Sequence, residues 1–144
     1  MTSLQTARDA IKTRLDAAGI VGLEVVSGWP NNVQVPPSGG VLVVVSPTGV
    51  EYGQTFGPDS SMVSVEIHVF ASMAGGFVNA ETNIEPYLSN TGASSLLQAL
   101  RGDPYLSSTV AYAKPPSGMR EYGVKEVGKQ TLLGAIVDLE VFVT

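Results

Sequence analysis

The sequence predicts a single α+β domain, residues 1–144, in which an antiparallel β-sheet is flanked by an N-terminal helix and a central helix pair. Three observations lead there. First, residues 131–143 (TLLGAIVDLEVFV) alternate strictly. Leu133, Ala135, Val137, Leu139, Val141 and Val143 fall on one face, and Gly134, Ile136, Asp138, Glu140 and Phe142 on the other. That pattern is a strand with one face in a core and one only partly dry. At about 3.3 Å per residue it would span roughly 40 Å, long for a domain of this size. Second, residues 62–70 (MVSVEIHVF) alternate in the same way, with Val63, Val65, Ile67 and Val69 opposed to Ser64, Glu66, His68 and Phe70. The two runs are expected side by side in the middle of the sheet. Third, Leu4, Ala7, Ile11, Leu15 and Ala18 recur at helical spacing, giving an apolar stripe that should lie on that sheet.

In chain order, the first helix covers residues 3–18. Thr2 with Gln5 fits a capping box, and Gly19 sits where a left-handed residue is wanted. A short strand, 23–27, follows. Residues 28–40 (GWPNNVQVPPSGG) form an irregular connection rich in Pro and Gly, with Trp29 read as a partly buried loop anchor in preference to a subunit contact. Residues 41–46 (VLVVVS) read as a strand buried on both faces and ended by Pro47. Residues 47–61 then make a connection longer than an ordinary hairpin loop, either a hairpin arm or an unstructured loop, carrying Glu51, Tyr52, Phe56 and Asp59.

After the strand at 62–70, a second helix is expected at 77–89, with Pro86 kinking it or marking its final turn. Ser94 or Ser95 caps a third helix at 96–101. Residues 109–113 and 119–127 read as further strands, the latter exposed and rich in charge. Residues 128–130 turn back into the final strand. The order is α, β, β, β, α, α, β, β, β.

Composition narrows function. Charged residues make up 15% of the 144, below the ~25% usual for globular domains, which suggests surface covered by partners. There is no Cys, hence no disulfide, thiolate nucleophile or Cys-ligated metal. No apolar run approaches the ~20 residues of a membrane helix. The opening residues lack a basic segment followed by an apolar one, so a cytoplasmic location is expected. The net charge of −5 disfavours tight nucleic-acid binding.

Catalytic patterns are sparse. His68 is the single histidine. With Glu66 it could form an acid–base pair or part of a metal site, but zinc wants three or four ligands. A solvated or subunit-facing strand residue is the preferred reading. Asp138 and Glu140 share a face and are read as wet or partner-facing. No Gly-x-Ser-x-Gly elbow, dinucleotide fingerprint or phosphate-binding loop occurs. No catalytic, cofactor-binding or metal-ligating residue is assigned, and a non-enzymatic role is expected.

Residues 90–143 carry a further pattern: TGASSLLQAL opening a small helix, then Tyr122–Gly123 in a strand, then Leu132–Leu133–Gly134–Ala135 opening a final strand of alternating apolar and acidic residues. This resembles the tail terminator, or head-to-tail joining, proteins of long-tailed bacteriophages. The first helix and the VLVVVSP strand also fit in order and length. The resemblance implies a structural virion protein at the tail–neck junction, assembled in the host cytoplasm. It would form a homohexameric ring that caps the tail tube, halts its polymerisation and joins tail to head, with tube protein and a neck protein as partners. Six copies at −5 each carry −30, and an acidic lumen would let genomic DNA pass without sticking. Ring contacts are heterologous, which accounts for low charge and for apolar Ile136 and Phe142 on the outward strand face. Glu51, Tyr52 and Phe56 are the expected partner contacts of the 47–61 segment. The alternatives are another phage neck or tail-completion protein, or a cytoplasmic ligand-binding α+β module.

Overall fold

The computed structural model describes residues 3–36, 39–53, 60–106, 110–116 and 118–143. The elements are α1 (Ser3–Ala17), β1 (Leu23–Ser27), β2 (Val41–Tyr52), β3 (Ser61–Ser72), α2 (Phe77–Leu88), α3 (Leu96–Arg101), β4 (Tyr112–Lys114), β5 (Arg120–Val127) and β6 (Gln130–Val143). The fold is a single-domain α+β architecture, a six-stranded sheet with three helices.

β3 and β6 lie side by side, antiparallel, from Ser61↔Val143 to Ser72↔Leu132. β2 follows on the far side of β3, and β1 beyond it. The free side of β6 is shared: β5 pairs with its first half and β4 with its last. The assignment of residues to faces holds, but the second face is more than partly dry: Phe70, Gly134 and Ile136 are buried on it as well. Leu133, Ala135, Val137, Leu139, Val141 and Val143 are all buried, as are Val63, Val65, Ile67 and Val69. They meet Ala7, Ile11 and Leu15 of α1, Ala80 and Ile84 of α2, and Leu96 and Leu100 of α3 in one core. Burying each Leu, Ile or Val there contributes about 1.5–3 kcal/mol.

Two expectations are corrected. The sheet is mixed, not wholly antiparallel, because β1 runs parallel to β2. Parallel neighbours need a crossover of a dozen or more residues, and the irregular connection between β1 and β2 is long enough to make it. Its Val33 and Val35 pack with Leu42, Val44, Phe70 and Leu132 into a second, smaller core on the sheet face away from α1. Nor does Pro47 end its strand. β2 continues to Tyr52, Pro47 pairs in register with Val65, and the register shifts between Pro47 and Gly49. β1 reaches only to Val45, so Pro47 lies on an unaccompanied edge at a bulge, where a missing N–H is tolerated. Of the two alternatives for residues 47–61, the structure is therefore a hairpin arm as far as Gly53, whose N–H bonds the Ser60 carbonyl at 3.0 Å. Phe56 and Asp59 lie outside the described residues, as do Thr2 and Thr109.

The helices keep their expected places. α1 buries Ala7, Ala10, Ile11 and Leu15, while Leu4 is partly exposed. Pro86 sits in the final turn of α2. Ser95 caps α3, accepting from Gln98 N at 3.1 Å and donating to the Ser89 carbonyl at 2.5 Å. The strand expected at 109–113 is the short β4, Tyr112–Lys114.

Tyr87 of α2 donates its hydroxyl to the Val21 carbonyl at 2.7 Å, across the turn that carries Gly22. Gly22 has φ 79°, and a Cβ there would stand 2.6 Å from that hydroxyl, so the close approach requires glycine. Burial pushes the Tyr87 phenol above its ordinary value. The folded chain thus holds this proton more tightly than the unfolded one. Its contribution is complete below pH ~10 and is lost as pH rises through the raised folded value. Melting curves between pH 8 and 11 should therefore show a steeper alkaline loss for the wild type than for Tyr87→Phe. Equal slopes would refute the assignment.

Candidate interaction surface

Cross-strand register lays the sheet's outer face out in rows. Nearest the arm tip stand Glu51, Met62, Phe142 and Tyr112. Next come Gly49, Ser64, Glu140 and Lys114, then Ser46, Glu66 and Asp138. Val44, His68, Ile136 and Arg120 follow, and then Leu42, Phe70, Gly134 and Gly123. Residues directly opposite on one face have Cβ atoms close enough to interact, so each row is a physical unit.

Of the five expected contact residues, Glu51 and Phe142 are brought into one row. Glu51 is exposed; Phe142 is half-buried, as are its row neighbours Met62 and Tyr112. Tyr52 pairs with Ser61, one step along, and so belongs to the helix-side face; it is 76% exposed. Phe56 falls outside the described residues. Ile136 is the discrepancy. It shares the outer face but is only 6% exposed, so it offers almost no surface, and a charge there would act on the fold.

The polar centre of the face is an ion-pair network around Arg120. Its Nε donates to Asp138 Oδ2 at 2.6 Å, and a terminal nitrogen reaches Asp138 Oδ1 at 3.1 Å and Glu66 Oε2 at 2.5 Å. The other terminal nitrogen binds Glu121. Hydrogen bonds donated to Asp138 and then to Glu66 raise the guanidinium above its already high ordinary value, so it stays charged at every accessible pH. Arg120 reaches this position at a register shift between Arg120 and Gly123, where Glu121 takes a left-handed φ of 54°. A bulge that re-aims a side chain is the usual use of such an irregularity.

Glu66 also meets His68, with Nε2 to Oε1 at 3.1 Å. His68 stands on the outer face, as the alternation suggests, but is half-buried there rather than freely solvated. Trp29 stands edge-on over its ring at 4.8 Å between centroids, and Phe70 stacks at 6.1 Å. Trp29 is thus a loop anchor, as expected, and its target is His68. Among the described residues, no group of three or more His, Asp or Glu side chains is arranged to hold a metal ion. No helix there is long and apolar enough to cross a membrane.

On the helix side, an open groove of about 520 Å³ runs between α2 and β5, lined by Glu81, Glu85, Leu88, Ser89, Met119 and Tyr122. The Tyr122 hydroxyl faces Glu81 Oε2 at 3.4 Å. Desolvation, and after it the Glu81 and Glu85 charges, push the Tyr122 phenol up. Sequence reasoning missed this groove and Arg120 alike. A usable signal for Arg120 was present: Glu66, Asp138 and Glu140 crowd one face of two strands, and a neighbouring strand must supply a cation.

Fold and surface define an α+β domain whose main polar feature is an ion-pair network on a sheet face, beside an exposed hairpin arm. No protein-family model and no curated protein matches the chain.

Proposed function

We propose that the chain is a ring-forming structural subunit of a phage tail–neck junction, of the tail terminator type. It caps the tail tube, stops tube growth and joins tail to head. The observation that carries this reading is the pattern of residues 90–143. The TGASSLLQAL segment runs from the end of α2 through α3, and the Leu-Gly-Ala strand is β6, one of the two strands at the sheet's centre. The arm supports it: Glu51 and the exposed Tyr52 stand at the far end of a hairpin that projects past β1. In this reading Glu51, Tyr52 and Phe56 contact tube or neck protein, Phe142 contacts a neighbouring subunit of the ring, and DNA passes an acidic lumen.

Two measurements test it. The purified chain should give a species near six times 15.0 kDa, alone or on tube ends. Electron microscopy of the chain mixed with tail tubes should show rings at the tube tips. A monomer at every concentration, with bare tube ends, would overturn the proposal. A ligand-dependent rise in melting temperature of that monomer would favour the binding-module alternative.

A further inference from the structure

The groove between α2 and β5 is an unfinished surface. Its floor is the helix-side face of β5, where Tyr122 is 38% and Val124 52% exposed, and Met119 at its mouth is 44% exposed. Its wall is the stretch of α2 carrying Glu81 and Glu85, one turn apart, in a helix with no basic residue in its last turn. Like charges at this spacing repel, so a cation is wanted. No salt bridge to either carboxylate occurs among the described residues.

The chain's own cations are mostly committed. Arg8, Lys12, Arg14, Arg101 and Arg120 all donate to acceptors in their own subunit. Lys114 stands opposite Glu140 in register. Lys125 and Lys129 remain, both on the β5–β6 hairpin, whose turn at Gly128 (φ 63°) holds Lys129 out in solvent. These two cannot serve their own groove. Lys129 is seven residues from Tyr122, roughly 20 Å at about 3.3 Å each, and Lys125 lies on the opposite face of the sheet, its Cδ over Gly134.

Resting on the ring reading, we infer that the α2–β5 groove receives the β5–β6 turn of a second copy of this chain, with Lys125 and Lys129 meeting Glu81 and Glu85. Groove and turn lie at opposite ends of β5, so the contact is heterologous and propagates from subunit to subunit until it closes. Tyr122 and Met119 supply the apolar floor that the incoming turn covers, and the charges set its register.

Charge reversal tests this. Molar mass by light scattering against concentration would be compared for four chains: wild type, Glu81→Lys with Glu85→Lys, Lys125→Glu with Lys129→Glu, and all four changes together. Glu85 and Lys129 are exposed, Glu81 and Lys125 half-buried, and circular dichroism verifies folding. Each reversed pair should weaken association by about tenfold or more, and the fourfold variant should recover it. Unchanged assembly in either pair, or no recovery in the fourfold variant, overturns the groove assignment while the ring reading stands. Loss on reversing the glutamates alone would assign the groove to some other cationic partner, again against the proposal. A wild-type chain that never associates removes the ring reading and this contact together.

Discussion

Ile136→Lys is expected to lower the melting temperature by roughly 6–12 °C, whereas Phe142→Lys on the same strand face should move it by no more than about 3 °C. Ile136 is 6% exposed and lies in register between His68 and Arg120. Replacing it removes about 1.5–3 kcal/mol of apolar burial and sets an ammonium beside a guanidinium. A lysine can lead its charge toward water along its stem, which keeps the total near ~3 kcal/mol. Phe142 is half-buried in the row nearest the arm tip, so its substitution should be read in assembly and hardly in stability. Thermal melts by circular dichroism, with molar mass in parallel, separate the two. Equal melting shifts would mean that the two positions do not differ in burial as described.

Phe70→Ala should cost about 3–5 kcal/mol, the largest single loss outside the helix-side core. Phe70 is 1% exposed and fills the smaller core with Leu42, Val44, Leu132 and Val33. Its ring lies over Gly134 on the neighbouring strand. A Cβ at Gly134 would stand 2.9 Å from Phe70 Cδ1 and 3.1 Å from Lys125 Cδ. Gly134→Ala should therefore cost about 1–3 kcal/mol by overpacking. The two changes are coupled: in a Phe70→Leu background the alanine should cost measurably less. A double-mutant cycle by urea denaturation checks this, and strict additivity would contradict the contact.

The parts of the fold legible in the sequence were those written locally. β3 and β6 announce themselves because one face of each meets a continuous core, so burial alternates intact from Val63 to Val69 and from Val137 to Val143. The caps at Ser95 and Gly19 are equally local. What escaped depended on partners distant in sequence. The direction of β1 follows from a connection that crosses over the outer face, and nothing in residues 23–27 encodes it. Pro47 looked like a terminator because its tolerance rests on β1 stopping at Val45. For the surface, alternation put Ile136 and Phe142 on one face correctly. It could not show that Ile136 is shielded, since that depends on Arg120 arriving through a bulge in β5. Arg120 itself joins Glu66 across 54 positions of chain, a pairing that no window of residues contains.

The pairing of β3 with β6 also governs how the molecule is made. Some 70 residues of synthesis separate the end of β3 from the end of β6. At ribosomal speeds of ~5–20 residues per second, the nascent chain carries the open flank of β3 for roughly 4–14 s before its mate emerges from the exit tunnel. A sheet centred on so distant a partner favours slow closure, and makes the half-made polypeptide a natural client for holding chaperones.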